Sequence, residues 1–367
     1  MSKNTLLFLV ALCQTTWSFA SERPDYSAYR GSFFIPYTAD SSFEQHLKVR
    51  TRINGGPVVE MLLDTGSSVT LISQDLVADF DHDGPQGLTE ISETGEISRG
   101  TVSPLQIEFV DAKGQGNVAG QPAVSTLTGL VVSDIVCAPD AELAKVCEAG
   151  PATKRVRRMG IGFGPPDGIA LFNLPQVKNG QLRAGFILEP GGLRIGLTGD
   201  AAGTDFSVVK LEKPRIGGLK QNFWAYPQAD LTINVVDNDM PYLVHGRFLM
   251  DTGIRSTLAG ITGAPRHGKI PTGTEVYITP RWLNGSGPQI RWIEGNGPAA
   301  PLPRGQWTKI FEDVVTGWGD PFINTGIRPL LNYRYLYDAE GGYWGLAPIS
   351  DAVQPPIVGP LQRDASR

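Results

Sequence analysis

The chain has 367 residues, of which 41% are hydrophobic and 19% charged, and its net charge is -5. That length implies two or three domain-sized units, and the composition is that of a globular protein with a buried core. No Lys/Arg block or basic stripe is present, so nucleic-acid binding is excluded as an expectation. The 44 Gly and 28 Pro call for many turns and short strands, which favours an all-β chain.

Residues 1–20 read as a secretory signal: Lys3 is followed by the apolar run 6–12, and Ser18-Phe19-Ala20 sets small residues where a signal peptidase cuts. The run is too short to span a bilayer, and no later segment approaches the ~18 apolar residues that a span needs. No membrane association is therefore expected once the signal is removed. Cys13 follows the bulky Leu12, which argues against lipidation. An exported chain keeps Cys137 and Cys147, for which a local disulfide is expected, two free thiols being the alternative. The four histidines are scattered without metal-ligand spacing, so neither metal nor cofactor is expected.

Residues 47–53 alternate apolar and polar as a half-buried strand does. Asn54-Gly55-Gly56-Pro57 is a turn, and Val58 to Leu63 form a strand that runs into Asp64-Thr65-Gly66. The plan returns with a strand over 231–236, a turn at Asp237-Asn238-Asp239, and a strand from Tyr242 to Met250 that runs into Asp251-Thr252-Gly253. The copies lie 187 residues apart, too far for a solenoid and suited to two similar lobes. The Gly-rich stretch 199–205 marks the boundary. The chain divides into the signal (1–20), a lobe with Asp64 (21–203), a lobe with Asp251 (204–352) and a polar tail (353–367). Further strands are expected at 105–110, 193–197, 274–278, 289–293 and 333–337, and a helix at 140–149.

Two Asp-Thr-Gly copies carry a definite chemistry. Amide hydrolysis needs an activated water and a proton for the leaving group. Two carboxyls held close cannot both ionise, so they share one proton, an effect for which the aspartic-protease dyad is itself the standard illustration. Thr65 and Thr252 can hydrogen-bond across the pair, and Gly66 and Gly253 permit a tight turn and close approach. Ser67 is placed to bond the outer oxygen of Asp64.

The stretches LLDTGSSVTLIS (62–73) and FLMDTGIRST (248–257) resemble the two active-site loops of the pepsin-like aspartic peptidases. MGIGFGPP (159–166), centred on Gly162, and FINTGIRPLLNYRYLYDAEGGYWGLAP (322–348), with Gly326, are similar to the elements that thread through those loops. The resemblance spans about residues 35–350 and is weaker near 75–160. It implies an all-β bilobal fold of two β-barrel-like lobes, a cleft between them, and a peptide bound extended across it. The chain looks like a divergent member, closer to bacterial than eukaryotic ones.

It departs from the family in several places. The candidate flap, 91–102, holds Glu93, Thr94 and Gly95 but lacks the tyrosine, and Leu71 stands in place of the partnering tryptophan. Ile254 replaces the Ser or Thr whose hydroxyl bonds the second Asp, which predicts a raised dyad pKa and a less acidic optimum. Asn324-Thr325 replaces the apolar pair before Gly326. About 25 residues separate the signal from the first strand, so no inhibitory prosegment is expected. The expected protein is thus an exported aspartic endopeptidase, periplasmic or secreted and monomeric, acting on polypeptides through Asp64 and Asp251. The competing reading is a catalytically silent protein that binds peptide through the same cleft. Serine and zinc mechanisms find no motif.

Overall fold

The computed structural model describes residues 23–89, 95–118, 120–139, 147–216, 219–236, 238, 240–264, 268–295, 306–307 and 321–349. The signal, the tail, Glu93, Thr94 and residues 140–146 of the expected helix lie outside this set. The described end of that stretch, 147–149, is not helical. The expected disulfide is present between Cys137 and Cys147, with Cα atoms 5.7 Å apart.

Strands dominate, and the strands read from the sequence are found within a few residues of their expected limits, except that the one expected at 105–110 begins nine residues earlier, at Glu96, and runs to Phe109. The strand Lys48–Ile53 alternates between half-buried and buried side chains along its whole length. It turns through Asn54 (φ 48°) and Gly55 (φ 72°), the left-handed pair that a two-residue hairpin turn requires, and enters Val58–Asp64.

Two eight-stranded sheets repeat one plan. The first draws its strands from residues 48–160, the second from 228–324. In the first, Val58–Asp64 lies between its hairpin partner Lys48–Ile53 and the parallel strand Arg157–Gly160. In the second, Tyr242–Leu249 lies between its hairpin partner Gln228–Asn234 and the parallel strand Phe322–Asn324. Each parallel strand pairs on its other side with the strand that follows the Asp-Thr-Gly turn, Leu71–Ser73 or Leu258–Gly260. The parallel partner pins a strand end that would otherwise fray; Asp64 sits at such an end and Asp251 two residues beyond one.

A six-stranded sheet joins the halves. Gly185–Glu189 pairs with Tyr333–Asp338, bringing together segments about 150 residues apart. Trp344, fully buried, stacks on Trp282 at 5.8 Å and meets Phe248 edge-on at 5.0 Å, so the closing aromatic motif is core. Phe163, just after Gly162, packs on Tyr226 (5.2 Å) and Tyr337 (4.8 Å), which ties the first half to the second. Arg183 crosses similarly: Nε and Nη2 donate to the two oxygens of the fully buried Asp338 at 3.1 and 3.0 Å.

Candidate active site

Asp64 is the last residue of its strand, and Asp251 follows its own by two residues. Met61, Leu63, Phe248, Leu249 and Met250 are buried and anchor the two strand ends, whereas Leu62 is half-buried. Both carboxyls are themselves buried, 3% and 7% exposed.

The two Thr residues form a reciprocal brace. The Thr252 hydroxyl accepts from the backbone N–H of Thr65 at 3.0 Å and donates to the carbonyl of Leu63 at 2.6 Å. The Thr65 hydroxyl accepts from the N–H of Thr252 at 3.0 Å and donates to the carbonyl of Met250. Each turn thus satisfies the other's buried backbone groups, which would otherwise be left without partners. The glycines permit the contact. A Cβ on Gly66 would fall on the carboxyl of Asp251. One on Gly253 would stand 2.5 Å from Asp64 Oδ1 and 3.0 Å from Asp251 Oδ1, so the two carboxyls converge on a space that only a hydrogen can occupy.

The inner oxygens accept backbone N–H groups, Gly66 to Asp64 Oδ1 and Gly253 to Asp251 Oδ1, both at 2.8 Å. The outer oxygens differ. Asp64 Oδ2 takes the Ser67 hydroxyl at 2.9 Å and has the Arg158 guanidinium Nε at 3.4 Å. Asp251 Oδ2 takes the amide of Asn324 at 2.8 Å. The Asn324 carbonyl accepts from the Gly326 N–H at 2.9 Å, which fixes the amide with its N–H toward the carboxyl.

That bond corrects the inference drawn from Ile254. The hydroxyl is missing, but Asn324 supplies a donor from another element, so the outer oxygen of Asp251 is not deprived of one. Asp251 is nevertheless held well above the usual carboxylate range, chiefly by burial and then by the Asp64 charge, while the Asn324 bond pulls the other way.

The threading elements lock the turns. The N–H of Ile161 donates to the Asp64 carbonyl and that of Gly162 to Ser67, both at 2.8 Å. In the second half the N–H of Thr325 donates to Leu249 (2.8 Å) and that of Ile327 to Ile254 (3.0 Å). Leu71 is a core residue, 4% exposed, grouped with Leu130, Val132, Ile135 and Ala152.

Of the flap candidates only Gly95 is described. It begins the run into Glu96–Phe109, and its carbonyl accepts from Ala138 at 2.7 Å, beside the disulfide. Among the described residues no hydrogen bond joins it to either carboxyl.

Arg158 was absent from the sequence reading, His46 entered it only as one of four scattered histidines, and Asn324 appeared there only as a departure. A charged residue just before the apolar MGIGFG run was the available signal for Arg158. His46 is half-buried, and its pKa lies below the ordinary value. Burial is the main cause; Arg255 and Lys48 push it the same way, while the Thr252 backbone and Asp64 oppose it.

Among the described residues no cluster of metal-ligating side chains occurs, and no helix is long and apolar enough to cross a membrane.

No family model and no curated protein matches the chain. Among solved structures it is similar to the crystal structure of an aspartic proteinase from Irpex lacteus, with 14% sequence identity and a TM-score of 0.50, over 88% of this chain and 99% of that one. That likeness, with the sheet plan above, gives the chain an all-β, bilobal pepsin-like fold.

Proposed function

We propose that this chain is an aspartic endopeptidase in which Asp64 and Asp251 hydrolyse peptide bonds of a polypeptide held across the cleft. The supporting observation is the convergence of two buried carboxyls around Gly253, braced by the Thr65–Thr252 exchange. Two carboxyls at that range share one proton.

The ionised partner takes a proton from water as its oxygen attacks the carbonyl carbon, and the protonated partner gives its proton to the carbonyl oxygen. The resulting gem-diol collapses as the C–N bond breaks. The first carboxyl then passes its proton to the amine, and the second recovers one from the diol. The pair ends as it began, and no covalent intermediate forms.

The substrates would be exported or foreign polypeptides, consistent with the sequence reading of a signal. A silent peptide-binding reading draws on the missing flap tyrosine and on the Arg158 cation beside Asp64. Cleavage of an unfolded protein by residues 21–367, compared with Asp64→Asn, separates the two. Loss of cleavage in the variant supports catalysis, and absence of cleavage by the folded parent supports silence.

A further inference from the structure

Arg158 occupies a position whose counterpart in the second half is known from the ladder. In the first half Arg158 pairs in parallel with Leu62, two residues before Asp64, and antiparallel with Leu71, seven residues after it. In the second half Asn324 pairs in parallel with Leu249, two residues before Asp251, and antiparallel with Leu258, seven residues after it. The two residues are therefore equivalent in the repeated sheet. Each presents nitrogen to the outer oxygen of its Asp, Arg158 Nε at 3.4 Å and Asn324 Nδ2 at 2.8 Å. One half supplies a permanent cation, the other a neutral amide. Among the described residues Asp64 is the only carboxylate paired with Arg158.

We propose that Arg158 is a positioning residue that holds Asp64 as the ionised, water-activating member of the pair and leaves Asp251 as the proton donor. This rests on the catalytic reading of the two carboxyls.

An adjacent guanidinium favours the charged form of a carboxyl. A neutral amide does so less, and its N–H must meet an oxygen that carries no proton. The Asn324 amide is fixed by Gly326, so the proton on Asp251 belongs on Oδ1, facing Asp64. The other groups that face Asp64 are Ser67 on its own turn, His46 from the segment before Lys48–Ile53, and Asp251. Lys48 and Arg255 lie near His46. Asp251 faces Asp64 and Asn324. His46 is half-buried and its charge comes and goes with pH, so among the described residues only Arg158 pairs Asp64 with a cation that persists throughout.

The test is the pH profile of kcat/KM for the parent, Arg158→Gln and Arg158→Lys. The acidic limb is expected to move up by about one pH unit in Arg158→Gln, because the guanidinium is partly exposed and its influence screened. Arg158→Lys should recover most of the shift. A side chain that served only packing would lower kcat equally at every pH.

The second readout needs no turnover. Carbon NMR titration of the two carboxyls, assigned with Asp64→Asn and Asp251→Asn, should show the lower of the pair's two apparent pKa values rising in Arg158→Gln. An acidic limb and a lower pKa that both stay put would overturn the proposal. A parent that never cleaves, yet shows the NMR shift, would overturn the endopeptidase reading while leaving the role of Arg158 intact.

Discussion

Replacing Thr252 by Val removes one hydroxyl and keeps the branched shape, so it isolates the brace between the two Asp-Thr-Gly turns. The hydroxyl accepts the Thr65 N–H at 3.0 Å and donates to the Leu63 carbonyl at 2.6 Å, in a place where Thr252 is 1% exposed. Val leaves that N–H buried and unpaired, which costs about 1–3 kcal/mol, and removes a second bond worth about 1 kcal/mol. The expected loss is therefore about 2–4 kcal/mol. Thr65→Val should cost a similar amount, because its bonds mirror the first set. The double variant should lose less than the two singles added, since both remove parts of one network. Urea unfolding, followed by tryptophan fluorescence and far-ultraviolet circular dichroism, measures this where the two transitions coincide. Single variants within about 0.5 kcal/mol of the parent, the range typical of surface changes, would refute the reasoning.

Asp251→Asn should stabilise the fold at neutral pH. The native pKa of Asp251 is raised, so above about pH 4 the unfolded chain releases that proton while the native chain keeps it, and stability falls as pH rises toward the native pKa. The gain should be largest near neutral pH and should shrink to nothing as the pH drops to about 4. Equal gains at both pH values, measured by urea midpoints, would contradict the burial of Asp251. Arg183→Met strips the guanidinium from the fully buried Asp338 and should cost about 3–5 kcal/mol, visible as a lowered thermal midpoint. Paired Cys137→Ser and Cys147→Ser changes open a loop of ten residues' separation and should cost about 2–3 kcal/mol by urea unfolding, a loss that reducing agent should reproduce in the parent.

The sequence was legible where the signal is local. Alternation in Lys48–Ile53, the Asn54-Gly55 turn and the two Asp-Thr-Gly contexts each depend on a few consecutive residues, and each has its structural counterpart. The illegible parts depend on pairing between distant strands. Arg158 stands four residues before Gly162 and Asn324 two before Gly326, so lining up the glycines hides an equivalence that the sheet register reveals. The same limit hid the donor that stands in for the hydroxyl missing at Ile254. The expected hydroxyl was sought three residues after Asp251, whereas the donor comes from Asn324, 73 residues along the chain. The sheet that joins Gly185–Glu189 to Tyr333–Asp338 has no local signature either. The Arg183–Asp338 pair looks like ordinary surface charge until the fold buries it.

The most direct measurement is cleavage of an unfolded protein by residues 21–367 from pH 3 to 7, beside Asp64→Asn and Asp251→Asn shown to be folded by circular dichroism. The account predicts peptides from the parent and none from either variant. Cleavage that survives in a variant, or a folded parent that cuts at no pH, would contradict it.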